Sequence, residues 1–319
     1  MSYPTIGTVT VYDPRLHDLI PPGAQIEQLA TNFDWPEGPT WVDDEAGGYL
    51  LFSDSPNNRV MKWTPGDTEA IEYLRPAGFL GDDFPGAEPG ANGMALSPTG
   101  ELYLCQHGER QVARMQASLS TPEPRFETVV GHHRGRSLHS PNDIIFDTRG
   151  RLYFTDPPFG LPGGQYDEAN KALDYSGVYR YDPQLQELAL LTADLDRPNG
   201  IALTPDEQYL LLSNGHPDRA VWVRYELLPD GRLGDREVVL DVSHTTPGPR
   251  GTLLDGIAMH PSGYWLGAGP GGFRMFHPDD TVLGLLQVHA AVSNATLSSD
   301  LRYLYMTADG MLLRIALRH

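Results

Sequence analysis

With 319 residues, of which 40% are hydrophobic and 20% charged, the chain has the composition of a folded globular protein and not of a disordered or fibrous one. Its 34 glycines and 28 prolines are scattered along the sequence, which predicts many short elements joined by turns and disfavours long helices. The net charge of −19 argues against partners that require clustered lysines and arginines, so we expect neither a nucleic acid nor a membrane as a partner.

The N-terminal segment and the cysteine content bear on the cellular compartment in which the protein is expected. Residues 1–23 contain no basic segment followed by an apolar run, and no apolar stretch reaches the about 18 residues of a membrane span. The single cysteine, Cys105, excludes an internal disulfide, so the fold does not require an oxidising environment. We therefore expect a cytoplasmic protein, and the sequence indicates no particular oligomeric state.

One phrase recurs six times along the chain: a polar residue, usually followed by glycine, then an apolar strand, a turn and a second apolar strand. The connections SPTG, DTRG, TPDE and HPSG carry residues that tight turns favour, so each copy predicts a β-hairpin. In chain order the copies are EGPTWVDDEAGGYLLFSDS from Glu37, NGMALSPTGELYLCQHG from Asn92, NDIIFDTRGRLYFTDPP from Asn142, NGIALTPDEQYLLLSNG from Asn199, DGIAMHPSGYWLGAGPGG from Asp255 and NATLSSDLRYLYMTADG from Asn294.

The spacing of these copies predicts the architecture. Their start positions differ by 55, 50, 57, 56 and 39 residues, a period typical of one four-stranded propeller blade. A two-sheet sandwich, the alternative all-β fold, would not repeat the same dipeptide at the same point six times. We predict an all-β, six-bladed β-propeller of four-stranded blades in a single domain, residues 1–319, with VTVYDP or IEQLA completing the last blade.

The residue that begins each phrase predicts what occupies the centre. In a propeller the innermost strands line a central channel, so these positions should meet around the axis. All six side chains carry oxygen and none is basic, which favours a hard cation such as Ca²⁺, Mg²⁺ or Mn²⁺. The alternative is that these residues serve the backbone geometry of hairpin starts. The ring would consist of Glu37, Asn92, Asn142, Asn199, Asp255 and Asn294.

Four segments resemble the family that contains the gluconolactonases, regucalcin (senescence marker protein) and related lactonase and diisopropyl-fluorophosphatase propellers. They are FDWPEGPTW, SPNDIIFDTRGRLYFTDPPFG, RPNGIALTPDEQYLLLSN and LLDGIAMHPSGYWLGA, in the order and spacing of that family and across nearly the whole chain. The resemblance implies a six-bladed propeller with one catalytic divalent metal.

The resemblance also implies roles for individual residues. The metal ligands would be Glu37, Asn142, Asn199 and Asp255, and Asp255 would also be the catalytic general base. Asn92 would contact substrate, although Gly90 stands where regucalcin-like members have an arginine. His107 and Arg110 match a pocket-wall segment of bacterial members and are expected to bind substrate.

The expected function is the metal-dependent hydrolysis of a sugar-acid lactone, a small-molecule substrate. Ca²⁺ is the expected ion, with Mg²⁺, Mn²⁺ and Zn²⁺ as alternatives. Either Asp255 or the metal could activate the attacking water. Two other functions remain open at this point: a phosphotriesterase-like hydrolase on the same scaffold, and a non-catalytic calcium-binding propeller.

Overall fold

The computed structural model describes residues 2–248 and 253–318, which form six antiparallel sheets around a central channel. The predicted six-bladed β-propeller is confirmed. Three strands precede the first blade: β1 (Thr5–Ile6), β2 (Thr8–Val11) and β3 (Ile26–Thr31). Short 3₁₀ helices, rather than α-helices, complete the structure at Pro14–Asp18, Ser55–Asn57 and Gly164–Tyr166.

The first three blades each consist of four consecutive strands. A separate two-stranded hairpin stands between the second and third blades. Blade one is β4 (Pro36–Val42), β5 (Tyr49–Asp54), β6 (Arg59–Trp63) and β7 (Ile71–Leu74). Blade two is β8 (Ala91–Leu96), β9 (Leu102–Gln106), β10 (Gln111–Met115) and β11 (Phe126–Val130), followed by the hairpin β12 (His132–His133) and β13 (Arg136–Ser137). Blade three is β14 (Ile144–Phe146), β15 (Leu152–Asp156), β16 (Gly177–Asp182) and β17 (Glu187–Thr192).

The fourth blade also has four strands, whereas the fifth and sixth each gain strands from the N-terminal segment. Blade four is β18 (Pro198–Leu203), β19 (Tyr209–His216), β20 (Arg219–Leu227) and β21 (Leu233–Asp241). Blade five is β22 (Ile257–Met259), β23 (Trp265–Gly269), β24 (Gly272–Phe276) and β25 (Val282–Gln287), with β2 outside β25. Blade six is β26 (Val292–Leu297), β27 (Tyr303–Ala308) and β28 (Met311–Ala316), with β3 and then β1 outside β28.

Both predicted closing segments are therefore used, in different blades. IEQLA forms most of β3, the fourth strand of blade six, where Leu312 pairs with Ala30. VTVYDP instead contributes β2, a fifth strand on blade five, where Val9 pairs with Leu286. The ring is closed by hydrogen bonds between the two ends of the chain.

The hydrophobic core lies between neighbouring blades, because each sheet packs both faces against other sheets. One cluster joins Leu51 of blade one to Leu104 of blade two. Between blades four and five, Trp222 meets Trp265 edge to face, and Trp265 stacks on Phe276 with ring centroids 3.7 Å apart. In the described part of the chain no helix is long and apolar enough to cross a membrane.

At the channel, the inner strands approach one another so closely that the second residue of the repeated phrase is usually glycine. A Cβ atom on Gly93 would lie 2.4 Å from the carbonyl oxygen of Asn142 in the next blade. The Gly93 N–H donates to that oxygen at 2.7 Å. In two blades this second position carries a side chain instead, Asp143 or Asn294, and both line the cavity at the other end of the channel.

Asn294 shows that the sequence alignment of the sixth phrase is wrong by one residue. The Gly256 N–H donates to the carbonyl of Ser293, just as the Gly93 N–H donates to that of Asn142. Ser293, not Asn294, therefore occupies the first position in blade six. Its hydroxyl donates to the carbonyl of Pro36 at 2.7 Å, so it binds the backbone of blade one.

Candidate active site

A cavity of about 620 Å³ opens at one end of the channel, where five blades contribute the first residue of their phrase. The chain also contains four long glycine- and proline-rich insertions between strands, and three of them reach this cavity: residues 75–91, 157–175 and 243–254. The insertion 131–141 instead forms the β12–β13 hairpin. The blades contribute Glu37, Asn92, Asn142, Asn199 and Asp255 to the lining. The insertions contribute Ala87 and Glu88 (75–91), Phe159, Gln165 and Tyr166 (157–175), and Pro247, Leu253 and Leu254 (243–254). Residues 249–252 of the last insertion lie outside the described structure.

The strand register explains why these five side chains converge. Glu37, Asn92 and Asn199 are each the second residue of an inner strand. Asn142 and Asp255 come two residues before a shorter inner strand, yet their N–H groups still donate to the neighbouring strand, at Thr155 and Ala268. Asn294, the sixth predicted member, does not line this cavity but the one at the other end of the channel. The predicted ring is thus five-membered at this face.

The two carboxylates of the ring are electrostatically strained. Burial is the largest cause that raises the pKa of Glu37 well above its usual value, followed by the negative charge of Asp255. Burial likewise raises the pKa of Asp255, followed by the charge of Asp143. Asp34 and Glu88 also line the cavity, and Arg197 is the only basic side chain lining it among the described residues. A cation in this cavity would offset the cost of these charges.

The donor set fits a hard divalent cation. In the part of the chain that the structure describes, no three His, Cys, Asp or Glu side chains cluster as a metal site. An ion here would therefore need amide oxygens beside the carboxylates, which is the mixed set that Ca²⁺ accepts and structural zinc does not. Glu37, Asn142, Asn199 and Asp255 provide two carboxylates and two amides around one cavity.

His107 and Arg110 lie behind the cavity wall rather than in it. The His107 side chain is fully buried, and its Nδ1 is 3.3 Å from Oε2 of Glu88, which does line the cavity. Arg110 donates from Nε to the backbone carbonyls of Leu138 and His139, at 2.7 and 3.1 Å. Of the three residues expected to bind substrate, the structure places only Asn92 at the cavity surface.

Buried polar residues at the ends of the second strands accept hydrogen bonds from the backbone segments that precede the ring residues. Asp156 accepts hydrogen bonds from the N–H groups of His139 and Ser140, both at 2.9 Å, just before Asn142. In blade four, Asn214 accepts from the N–H of Arg197 at 2.8 Å, just before Asn199. These side chains hold the loops from which the ring residues project.

The cavity also contains residues that the sequence did not single out. Arg197 donates from Nη1 to Oε1 of Gln165 at 2.7 Å, and its guanidinium lies 4.8 Å from the ring centre of Tyr166. The repeat did contain a signal for Arg197. The residue two positions before the ring residue lines the cavity in three blades, as Trp35, Arg197 and Leu253. Glu88 and Phe159 lie in insertions, where no repeat could identify them.

Comparison with known proteins confirms the resemblance. Residues 35–310 match the family described as the SMP-30/Gluconolactonase/LRE-like region. A gluconolactonase from Zymomonas mobilis is 36% identical over 327 positions, which cover 99% of this chain and 87% of that protein. A gluconolactonase from Xanthomonas campestris superposes with a TM-score of 0.82 at 29% identity, covering 100% of this chain and 99% of the other.

A more distant structure shares the fold alone. Regucalcin from Agrobacterium tumefaciens, a calcium-binding protein, superposes with a TM-score of 0.68 at 15% identity, covering 99% of this chain and 96% of its own. The match over most of the sequence, the near full-length relative and the propeller geometry agree: the chain belongs to the SMP-30/gluconolactonase family.

Proposed function

We propose that the protein is a divalent-metal-dependent hydrolase that opens a sugar-acid lactone. The observation that carries the proposal is the convergence of two carboxylates and two amides from four blades on one cavity of about 620 Å³. The similarity to gluconolactonases of Zymomonas mobilis and Xanthomonas campestris supports lactone hydrolysis as the reaction. The cavity volume is in the range of small-molecule sites.

Glu37, Asn142, Asn199 and Asp255 would hold the ion, with Ca²⁺ as the ion we propose. When bound, a divalent cation polarises a carbonyl oxygen and stabilises the negative charge that develops there during attack by water. Asp255 is proposed as the general base that accepts a proton from the attacking water at its carboxylate. Asn92 is proposed to orient the lactone by hydrogen bonds from its amide, and the apolar side chains of Phe159 and Leu254 line the same cavity.

The first experiment is hydrolysis of D-glucono-1,5-lactone by protein stripped of metal and then supplied with Ca²⁺, Mg²⁺, Mn²⁺ or Zn²⁺ in turn, after subtraction of spontaneous opening. We expect activity to depend on added metal. Asp255→Asn removes the carboxylate at nearly constant shape, so kcat/KM should fall by about 100-fold or more. The matched control is Asp67→Asn, in an exposed turn, which should keep full activity.

Two results would contradict this proposal. Full activity in metal-stripped protein would exclude the metal, and an Asp255→Asn variant as active as Asp67→Asn would exclude Asp255. Hydrolysis of phosphotriesters but of no lactone would favour the alternative reaction on the same scaffold. The cytoplasmic location and the exclusion of nucleic-acid and membrane partners stay predictions.

A further inference from the structure

Glu88 places a fourth carboxylate in the cavity beside Asp34, Glu37 and Asp255. It belongs to insertion 75–91, lines the cavity wall, and keeps 30% of its side chain exposed. Glu88 therefore shares the cavity with Glu37 and Asp255 without belonging to the repeated phrase.

His107 lies directly behind Glu88 and is fully buried. Its Nδ1 is 3.3 Å from Oε2 of Glu88, but neither ring nitrogen has an aligned hydrogen-bond partner among the described residues. A Cβ atom on Gly160 would lie 2.3 Å from the imidazole, so insertion 157–175 is pressed against the ring. A buried imidazole needs a polar partner, and Glu88 is the acceptor within reach.

The insertion that carries Glu88 is held by hydrogen bonds at both of its ends. The N–H groups of His107 and Gly108 donate to the carbonyls of Gly90 and Pro89, at 3.1 and 3.3 Å. At the other end of the insertion, Oδ1 of Asn58 accepts from the N–H groups of Ala77, Gly78 and Phe79. The carboxylate is therefore presented to the cavity by a preorganised loop, as a binding group should be.

We propose that Glu88 binds hydroxyl groups of the substrate, that His107 positions its carboxylate, and that the pair makes the enzyme select polyhydroxylated lactones over unsubstituted ones. The inference rests on the proposed function and identifies two residues that determine its substrate preference. An ionised carboxylate accepts charge-assisted hydrogen bonds from two neighbouring hydroxyl groups. An unsubstituted lactone leaves the same carboxylate without these bonds, and a site built around a hydrogen bond discriminates strongly against such an analogue.

The test compares D-glucono-1,5-lactone with δ-valerolactone, which has the same ring and no hydroxyl groups. Glu88→Ala should lower kcat/KM for the hydroxylated lactone by about 10- to 100-fold, mainly through KM, and change that for δ-valerolactone by less than about twofold. Glu88→Gln, which keeps an acceptor without the charge, should fall in between. Glu72→Ala, a surface carboxylate on β7 that pairs with Arg75, is the matched control and should change neither substrate.

His107→Gln should lower the preference for the hydroxylated lactone while leaving turnover of δ-valerolactone unchanged. The control is His139→Gln, which removes another fully buried histidine, one whose Nε2 lies 3.1 Å from the Leu173 carbonyl oxygen away from the cavity. Loss of stability alone would affect both histidine variants and both substrates alike. Only a positioning role predicts a change in the ratio.

Binding of the non-hydrolysable lactams separates this inference from the proposed function. Calorimetric titration of the wild type should show D-glucono-1,5-lactam binding at least tenfold more tightly than δ-valerolactam, and Glu88→Ala should abolish the difference. If both lactams bind equally to the wild type, or Glu88→Ala weakens both substrates equally, the inference is wrong. If no lactone is hydrolysed while the lactam preference holds and depends on Glu88, only the proposed reaction fails.

Discussion

The buried carboxylate of Asp156 makes the free energy of unfolding depend on pH. Its two hydrogen bonds come from backbone N–H groups, and burial raises its pKa to about 7. An aspartate in an unfolded chain has a pKa of about 3.9. Between these values the folded protein binds a proton that the unfolded chain has released, so the free energy of unfolding decreases as pH rises through this window, by up to about 1.4 kcal/mol per pH unit.

Asp156→Asn should weaken this pH dependence. The neutral amide can still accept one backbone hydrogen bond, as Asn214 does at the same position of blade four. We expect the decrease in unfolding free energy between pH 5 and pH 7, measured by urea denaturation in the presence of a chelator, to be smaller in the variant by about 1 to 3 kcal/mol.

Asp174→Asn, at a side chain that is 91% exposed, is the control for the loss of one charge and should keep the wild-type slope. Asp143, whose pKa burial also raises to about 7, retains its own contribution in every variant. An Asp156→Asn protein with the same pH dependence as the wild type would show that Asp156 does not retain its proton in the folded state.

The convergence of four side chains on the channel could be predicted from the sequence, because equivalent positions of a repeat lie at equivalent places around the propeller axis. These side chains are Glu37, Asn142, Asn199 and Asp255. Whether these residues hold a metal stays a prediction. The repeat could not locate Glu88, since an insertion has no equivalent in the other blades. The repeat misplaced Asn294 because Ser293, which occupies the first position, is also polar. Either residue could be aligned with the start of the phrase, and the sequence alone does not distinguish the two alignments.

Among the elements, the inner strands depend on the absence of a side chain at the second position of the phrase. Gly93→Ala should lower the free energy of unfolding by about 1 to 3 kcal/mol, because its Cβ would meet backbone atoms of Asn142 and Asp143 at 2.4 and 2.8 Å. If Asn142 is a metal ligand as proposed, displacing it should also lower the proposed lactonase activity. Chemical denaturation and kcat/KM measure the two effects.

Gly131→Ala provides the comparison, since a Cβ there would meet only side-chain atoms at 3.5 and 3.7 Å. That variant should be neutral or slightly stabilising, because alanine restricts the unfolded chain. Equal stability of the two variants would mean that the inner strands separate at little cost.

The hairpins were the elements best predicted from the sequence, because their turns carry local chemistry. The Gly150 N–H donates to the carbonyl of Asp147 in DTRG, and the Gly263 N–H donates to that of His260 in HPSG, as tight turns require. The outer strands were harder to assign, since strand order depends on pairings between distant segments. VTVYDP and IEQLA are both short segments that mix apolar and polar residues, and nothing local distinguishes the blade that each one joins.

For the whole molecule, closure of the ring depends on β3. Ile26 and Leu29 are buried there, and Glu27 accepts a hydrogen bond from Nε of Arg314 at 2.7 Å. Deletion of residues 2–31 should remove this strand, leave β28 as an open edge and cause aggregation or loss of cooperative unfolding. Gel filtration and thermal unfolding would measure both.

Deletion of residues 2–12 is the matched truncation, because it removes only the outermost strands β1 and β2 together with Tyr3. We expect it to lower the melting temperature but to leave a monodisperse, cooperatively unfolding protein. Similar melting of the two truncated chains would show that blade six is stable with three strands. The assignment of residues 1–319 to a single domain stays a prediction.

The pairing of β3 with β28 also determines when the last blade can form during synthesis of the chain. Blades one to five can form in order as the chain leaves the ribosome, whereas blade six cannot form until Ala316 has emerged. At about 5 to 20 residues per second, β3 waits roughly 15 to 60 s for its partner. During that interval it is an unpaired edge beside finished blades, and the charge of Glu27 makes it a poorer template for pairing with another nascent chain.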